Sequence, residues 1–162
     1  MTQQTLSMNT SNAAHELEQL IAAHPSIVDF GPPSNAVSDE WIAGAEAALE
    51  RPLPASYRWF LQRYGGGEIG GEEIYSIYGI PFETANGGDI VFQHVVNRNA
   101  GVLGESKLVV SATDFGEIFF LDYDAFRNGE CPVDLRLPSG EHIRYAEDFH
   151  DFLRKRIAAH MA

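Results

Sequence analysis

Apolar residues recur at helical spacing through the first third of the chain, then give way to strand-like segments beyond residue 65. Leu17, Leu20, Ile21 and His24 share one helical face, which predicts a helix over residues 13–23. The polar, aperiodic stretch before it, residues 1–12, reads as a mobile tail. After the turn-forming run Phe30-Gly31-Pro32-Pro33-Ser34-Asn35, Ser38 is placed to cap a second helix. Asp39 and Glu40 suit its positive end, and Ile42, Ala45 and Leu49 form its apolar stripe. Pro54 starts a third helix, striped by Tyr57, Phe60, Leu61 and Tyr64, and Gly65-Gly66-Gly67 stops it.

Beyond the glycines, Glu72–Tyr78, Lys107–Ala112, Glu117–Tyr123 and Pro132–Leu137 are rich in β-formers and predict strands. Thr113-Asp114-Phe115-Gly116 makes a turn between two of them, and Val133, Leu135 and Leu137 alternate onto one face. Residues 89–99 fit either a strand or a short helix. A last helix over 146–159 buries Phe149, Phe152, Leu153 and Ile157, with acids early and Arg154, Lys155 and Arg156 late. Helices, then strands, then a closing helix make an α+β domain spanning residues 13–162, with no internal repeat.

Charge changes the picture. Acids outnumber bases by 23 to 11, a net charge of -12. Between Gly65 and Leu135 twelve acids face only Arg98, Lys107 and Arg127. Such a field repels phosphate backbones and anionic membranes and attracts basic partners, so nucleic acid and membrane surfaces are excluded as partners. It is equally compatible with plain solubility. The single cysteine, Cys131, excludes an internal disulfide and reads as a buried structural thiol in a reducing compartment. No apolar run approaches the ~20 residues that span a bilayer, and no basic-then-apolar leader opens the chain. Those features predict a cytoplasmic protein.

Signatures of chemistry fail in turn. Gly65, Gly67 and Gly70 match G-x-G-x-x-G formally, but they follow a helix and precede a strand, the reverse of a dinucleotide site. Asp122-Tyr123-Asp124 opens like a calcium loop, yet Phe126 and Arg127 occupy positions that need a ligand and a glycine. Asp114, Glu117, Asp122 and Asp124 could converge on a cation, although exposed turn acids explain them more simply. The six histidines lack paired metal-ligand spacing, and no G-x-S-x-G occurs. The expectation is a non-enzymatic domain with no catalytic residue, metal or cofactor.

One arrangement is familiar. Residues 38–67 read SDEWIAGAEAALERPLPASYRWFLQRYGGG, with Glu46 and Leu49, then Leu53-Pro54, Tyr57, Phe60-Leu61 and the glycine run. Ile77-Tyr78-Gly79, the run Thr113–Asp122, Pro132-Val133 and the ending Tyr145–Leu153 continue it in order. This pattern, over about residues 13–155, resembles the SUKH superfamily, the Smi/Knr-like group. Two positions depart from it: Asp114-Phe115-Gly116-Glu117 replaces an Asp-Gly-Gly-Asp-like turn, and Arg51 replaces a glycine.

The resemblance implies an α+β fold with a mixed, largely antiparallel sheet flanked by N-terminal helices and a C-terminal helix. For bacterial members it implies an immunity protein that neutralises a secreted polymorphic toxin, often a nuclease. Other members act as regulatory or scaffolding domains. A basic toxin domain is thus the expected partner, met by Glu68, Glu72, Glu73, Asp89, Asp114 and Glu117 around the glycine turn and the strands. Each of these acids also fits plain solvated surface. Oligomeric state stays open, since an exposed edge strand within 107–137 could pair with a second copy.

Overall fold

The computed structural model of the chain describes residues 3–161, with side chains from residue 12 onward. The first helix, α1, spans Gln3–Ala23, so its backbone extends over most of the stretch expected to be a tail. No Gly or Pro interrupts the chain before Pro25, and nothing local stops the helix from continuing in that direction. Residues 1 and 2 of the expected tail lie outside the described residues.

Helix α2 (Asp39–Leu49) starts where the sequence places it, with the Ser38 hydroxyl accepting from the Trp41 N–H at 3.3 Å. Its Glu46 carboxylate accepts from the Leu53 N–H at 2.7 Å, which fixes the entry into α3 (Ala55–Arg63). Helix α4 (Ile90–Ala100) settles the ambiguous segment, and α5 (Phe149–Ala159) closes the fold. That last helix begins three residues later than expected, because the Asp148 carboxylate caps it by accepting from the Asp151 N–H.

All named strands pair antiparallel, in two groups. Strands β1 (Val28–Asp29), β2 (Gly67–Ile69) and β3 (Glu72–Ile74) lie in that order, and so do β4 (Lys107–Ala112), β5 (Ile118–Asp122), β6 (Val133–Arg136) and β7 (His142–Ala146). The groups meet where the Tyr75 N–H donates to the Val110 carbonyl and the Ser111 hydroxyl donates to the Glu73 carbonyl, both at 2.8 Å. Among the described residues the expected mixed character is confined to one isolated parallel bridge, Ser76–Asp89. The open border of the larger group is β7, outside the 107–137 region, while β4 is bonded to β3.

Burial of one aromatic cluster welds these layers. Tyr57 and Phe60 of α3 pack on Phe149 of α5 at ring distances of 4.8 and 5.4 Å, and Phe152 carries the contact to Phe119 of β5 at 5.3 Å. Each such pair adds roughly 0.5–1.5 kcal/mol beyond simple area burial. The Tyr57 hydroxyl, inside this cluster, is satisfied by donating to the Tyr75 carbonyl at 2.7 Å. Ser56 ties the same helices together by donating to Glu130 at 2.7 Å and accepting from the Phe149 N–H at 3.1 Å.

Asp89 belongs to this framework and not to the surface. It is fully buried, caps α4 through the Val91 and Phe92 N–H groups at 3.0 Å, and also accepts from the Tyr78 N–H at 3.1 Å. The sequence offered it as a partner contact; burial removes it from that role. Asp89→Ala strips acceptors from three N–H groups and is expected to cost about 2 kcal/mol or more. Urea unfolding measures this, and a loss below about 0.5 kcal/mol, a small surface effect, contradicts the assignment.

Candidate functional site

Gly65 and Gly67 have φ of +84° and +138°, backbone that side chains disfavour. Space forbids side chains there as well. A Cβ on Gly65 would stand 1.8 Å from the Asn35 carbonyl oxygen, and one on Gly67 would stand 2.2 Å from that of Asp29. The glycine run therefore lets the loop between β1 and α2 cross directly over the start of β2. It serves a backbone crossing rather than phosphate binding.

Beside the crossing opens a cleft of about 880 Å³. Trp41, Tyr78 and Ile80 supply its apolar surface, Asp29, Glu68 and Glu73 its charge, and no Lys, Arg or His lines it. Strand register explains the charge. Asp29 lies opposite Glu68, and Glu68 lies opposite Glu73, so three carboxylates form a row across β1, β2 and β3. Directly opposed residues project from the same face, and like charges placed so destabilise a sheet.

The partners of this row are few. Glu73 accepts from the Tyr78 hydroxyl at 2.6 Å, and Asp29 accepts from the Gly31 N–H at 3.2 Å. Among the described residues none of the three acids is paired with a base. Tyr78 is held firmly, since its hydroxyl also accepts from the Gly88 N–H at 2.6 Å. Burial first, and then the bond to Glu73, push its phenol up to about 12.

The remaining expected contacts separate. Glu72 points to the other face of the sheet, where Arg156 at 2.5 Å and His160 at 3.1 Å of the α5 end engage it. Asp114 is exposed and Glu117 half-buried at the β4–β5 turn, outside the cleft lining. Glu68 and Glu73 are thus the two expected acids that the fold brings together; Asp29 and Trp41 join them unannounced by any local motif, and Tyr78 joins them from the Ile77-Tyr78-Gly79 motif, which gave no sign of a site. An alternation of polar and apolar residues around Asp29 was the available signal, but β1 is only two residues long.

The four acids considered for a cation do not converge. Asp114 and Glu117 flank one end of β5, while Asp122 and Asp124 stand at the other end and clasp Lys107 Nζ at 2.5 and 2.9 Å. Among the described residues no group of three His, Cys, Asp or Glu is placed to hold a metal ion. Nor, among them, is any helix long and apolar enough to cross a membrane.

Fold and cleft together define a small α+β domain with an open, acidic and aromatic-walled concavity. A family model described as SUKH_6, SMI1-KNR4 cell-wall, matches residues 39–153. The chain belongs to this family of the SUKH superfamily, as the ordered motifs of its sequence indicated.

Two outcomes follow from the site's surroundings. Cys131 is fully buried, and burial pushes its thiol up to about 12, so a thiol reagent should label it far more slowly in the folded protein than in urea. Equal labelling rates contradict that placement. Glu68→Lys turns two repulsive cross-strand pairs into attractive ones and should raise stability by roughly 0.5 kcal/mol. A lowered unfolding midpoint for this variant contradicts the carboxylate row.

Proposed function

We propose that the chain is a non-catalytic, immunity-type domain that binds a basic toxin domain and keeps it from its target. The row of three unpaired carboxylates across an open cleft is the observation that supports this most directly. A toxin that attacks nucleic acid carries bases to grip phosphates, and those bases fit an acidic cleft. The net charge of -12 adds long-range steering, which speeds encounter more than it tightens the complex.

Tightness then falls to desolvated aromatic anchors, and Trp41 and Tyr78 are on hand in the cleft wall. A stable complex of this kind buries ~1,600 Å² in total. That area reaches beyond the cleft to the neighbouring turns. The protein acts in the cytoplasm in this reading. A second reading, a regulatory or scaffolding domain for an endogenous protein, is favoured by the family description, which names the cell wall.

Binding kinetics against a purified basic toxin domain, taken from the gene neighbourhood where it encodes one, test the proposal. Reversal of Asp29, Glu68 and Glu73 to lysine should slow association by about tenfold or more at low salt, with a shallower salt dependence. Unchanged rates reject this face. Absence of binding by the wild-type chain rejects the immunity reading and leaves the regulatory one.

A further inference from the structure

At the tip between β4 and β5, Phe115 exposes 82% of its surface. Among the described residues the next most exposed large hydrophobic residue, Met161, reaches 47%. Single exposed apolar residues are ordinary on protein surfaces, but a phenyl ring so fully in water forgoes nearly all of its burial energy.

Around the ring, the backbone is tightly held. The Thr113 N–H donates to the Glu117 carbonyl at 2.9 Å, and the Gly116 N–H donates to the Thr113 carbonyl at 3.2 Å. The Thr113 hydroxyl accepts from the Phe115 N–H and donates to the Glu117 carboxylate, both at 3.2 Å. Gly116, at φ of +83°, lies against the neighbouring β6–β7 turn, where a Cβ on it would meet Pro138 at 3.6 Å. The turn's own hydrogen bonds thus present the ring on a pre-ordered support. Such presentation lowers the entropy lost on binding.

The immediate surroundings are acidic. Asp114 and Glu141 are exposed and Glu117 is half-buried, with no base between residues 112 and 121. The tip also adjoins the cleft-bearing sheet: four residues before Phe115, Ser111 holds the Glu73 carbonyl.

We infer that Phe115 is an aromatic anchor that inserts into an apolar pocket rimmed by bases on the toxin domain. This rests on the immunity reading above and names a residue outside its cleft. The carboxylates bring the partner in; the ring slows its escape. A membrane is the other apolar destination for an exposed ring, but the acids beside it repel anionic headgroups.

The experiment compares wild type, Phe115→Ala and Phe115→Trp by surface plasmon resonance against the same purified basic toxin domain. Phe115→Ala should dissociate about tenfold faster or more, with an association rate within about twofold of wild type. Phe115→Trp should restore slow dissociation. Unfolding midpoints of the three proteins should agree, since the ring packs against little in the free chain. Equal dissociation by wild type and Phe115→Ala overturns the anchor while leaving the cleft reading intact. Absence of binding by wild type overturns both. Co-sedimentation with phosphatidylcholine–phosphatidylglycerol vesicles that depends on Phe115 overturns the protein-pocket assignment in favour of a membrane.

Discussion

Where the chain leaves α3 it passes beneath the loop that links β1 to α2, and no side chain fits between the two backbones. Asn35 and Asp29 place their carbonyl oxygens where Gly65 and Gly67 would carry a Cβ. This close approach sets the position of β1 beside β2, and β2 in turn sets β3. The register that results aligns Asp29, Glu68 and Glu73, and the same crossing walls one side of the cleft. A larger residue at either glycine would separate the backbones and dissolve the row. Gly65 and Gly67, which fall in a formal G-x-G-x-x-G in sequence, thus act as a spacer of zero thickness.

Much of the framework was readable from periodicity and caps. The stripes of α2, α3 and α5, the Ser38 cap, the glycine stop and the three long strand segments encode their structure locally, within a turn or an alternation. Less legible were elements defined by their partners. Strand β1 has two residues and β2 three, too few for a pattern, and β7 shows mostly exposed side chains at the sheet border. The charged row needed the register between strands that are distant in sequence. Asp89 illustrates the converse problem, because a buried cap and a solvated acid have the same letter.

Division of the acids gives the surface its meaning. Glu72 is fastened to Arg156, Asp122 to Lys107, Asp134 to Arg144 and Glu105 to Arg51, so bases are spent where acids support the fold. The cleft receives none. Leaving three opposed carboxylates uncompensated sacrifices some stability, which is the usual signature of a surface kept for binding. Phe115 follows the same logic with the hydrophobic effect in place of charge: its ring is held out by a hydrogen-bonded turn when an ordinary polar residue would serve the fold as well. Membership of the SUKH family, an acidic field and an exposed aromatic together suit a domain that works by occupying a basic surface.

Hydroxyl-radical footprinting of the chain, free and bound to a purified basic toxin domain, tests this account most directly, because it reads individual aromatic side chains. Tyr78 in the cleft and Phe115 at the tip should lose modification on binding. Phe126, exposed beyond the far end of β5, should keep its free-state level. Protection of Phe126, with Tyr78 and Phe115 unchanged, would place the partner at the opposite end of the sheet and contradict the account.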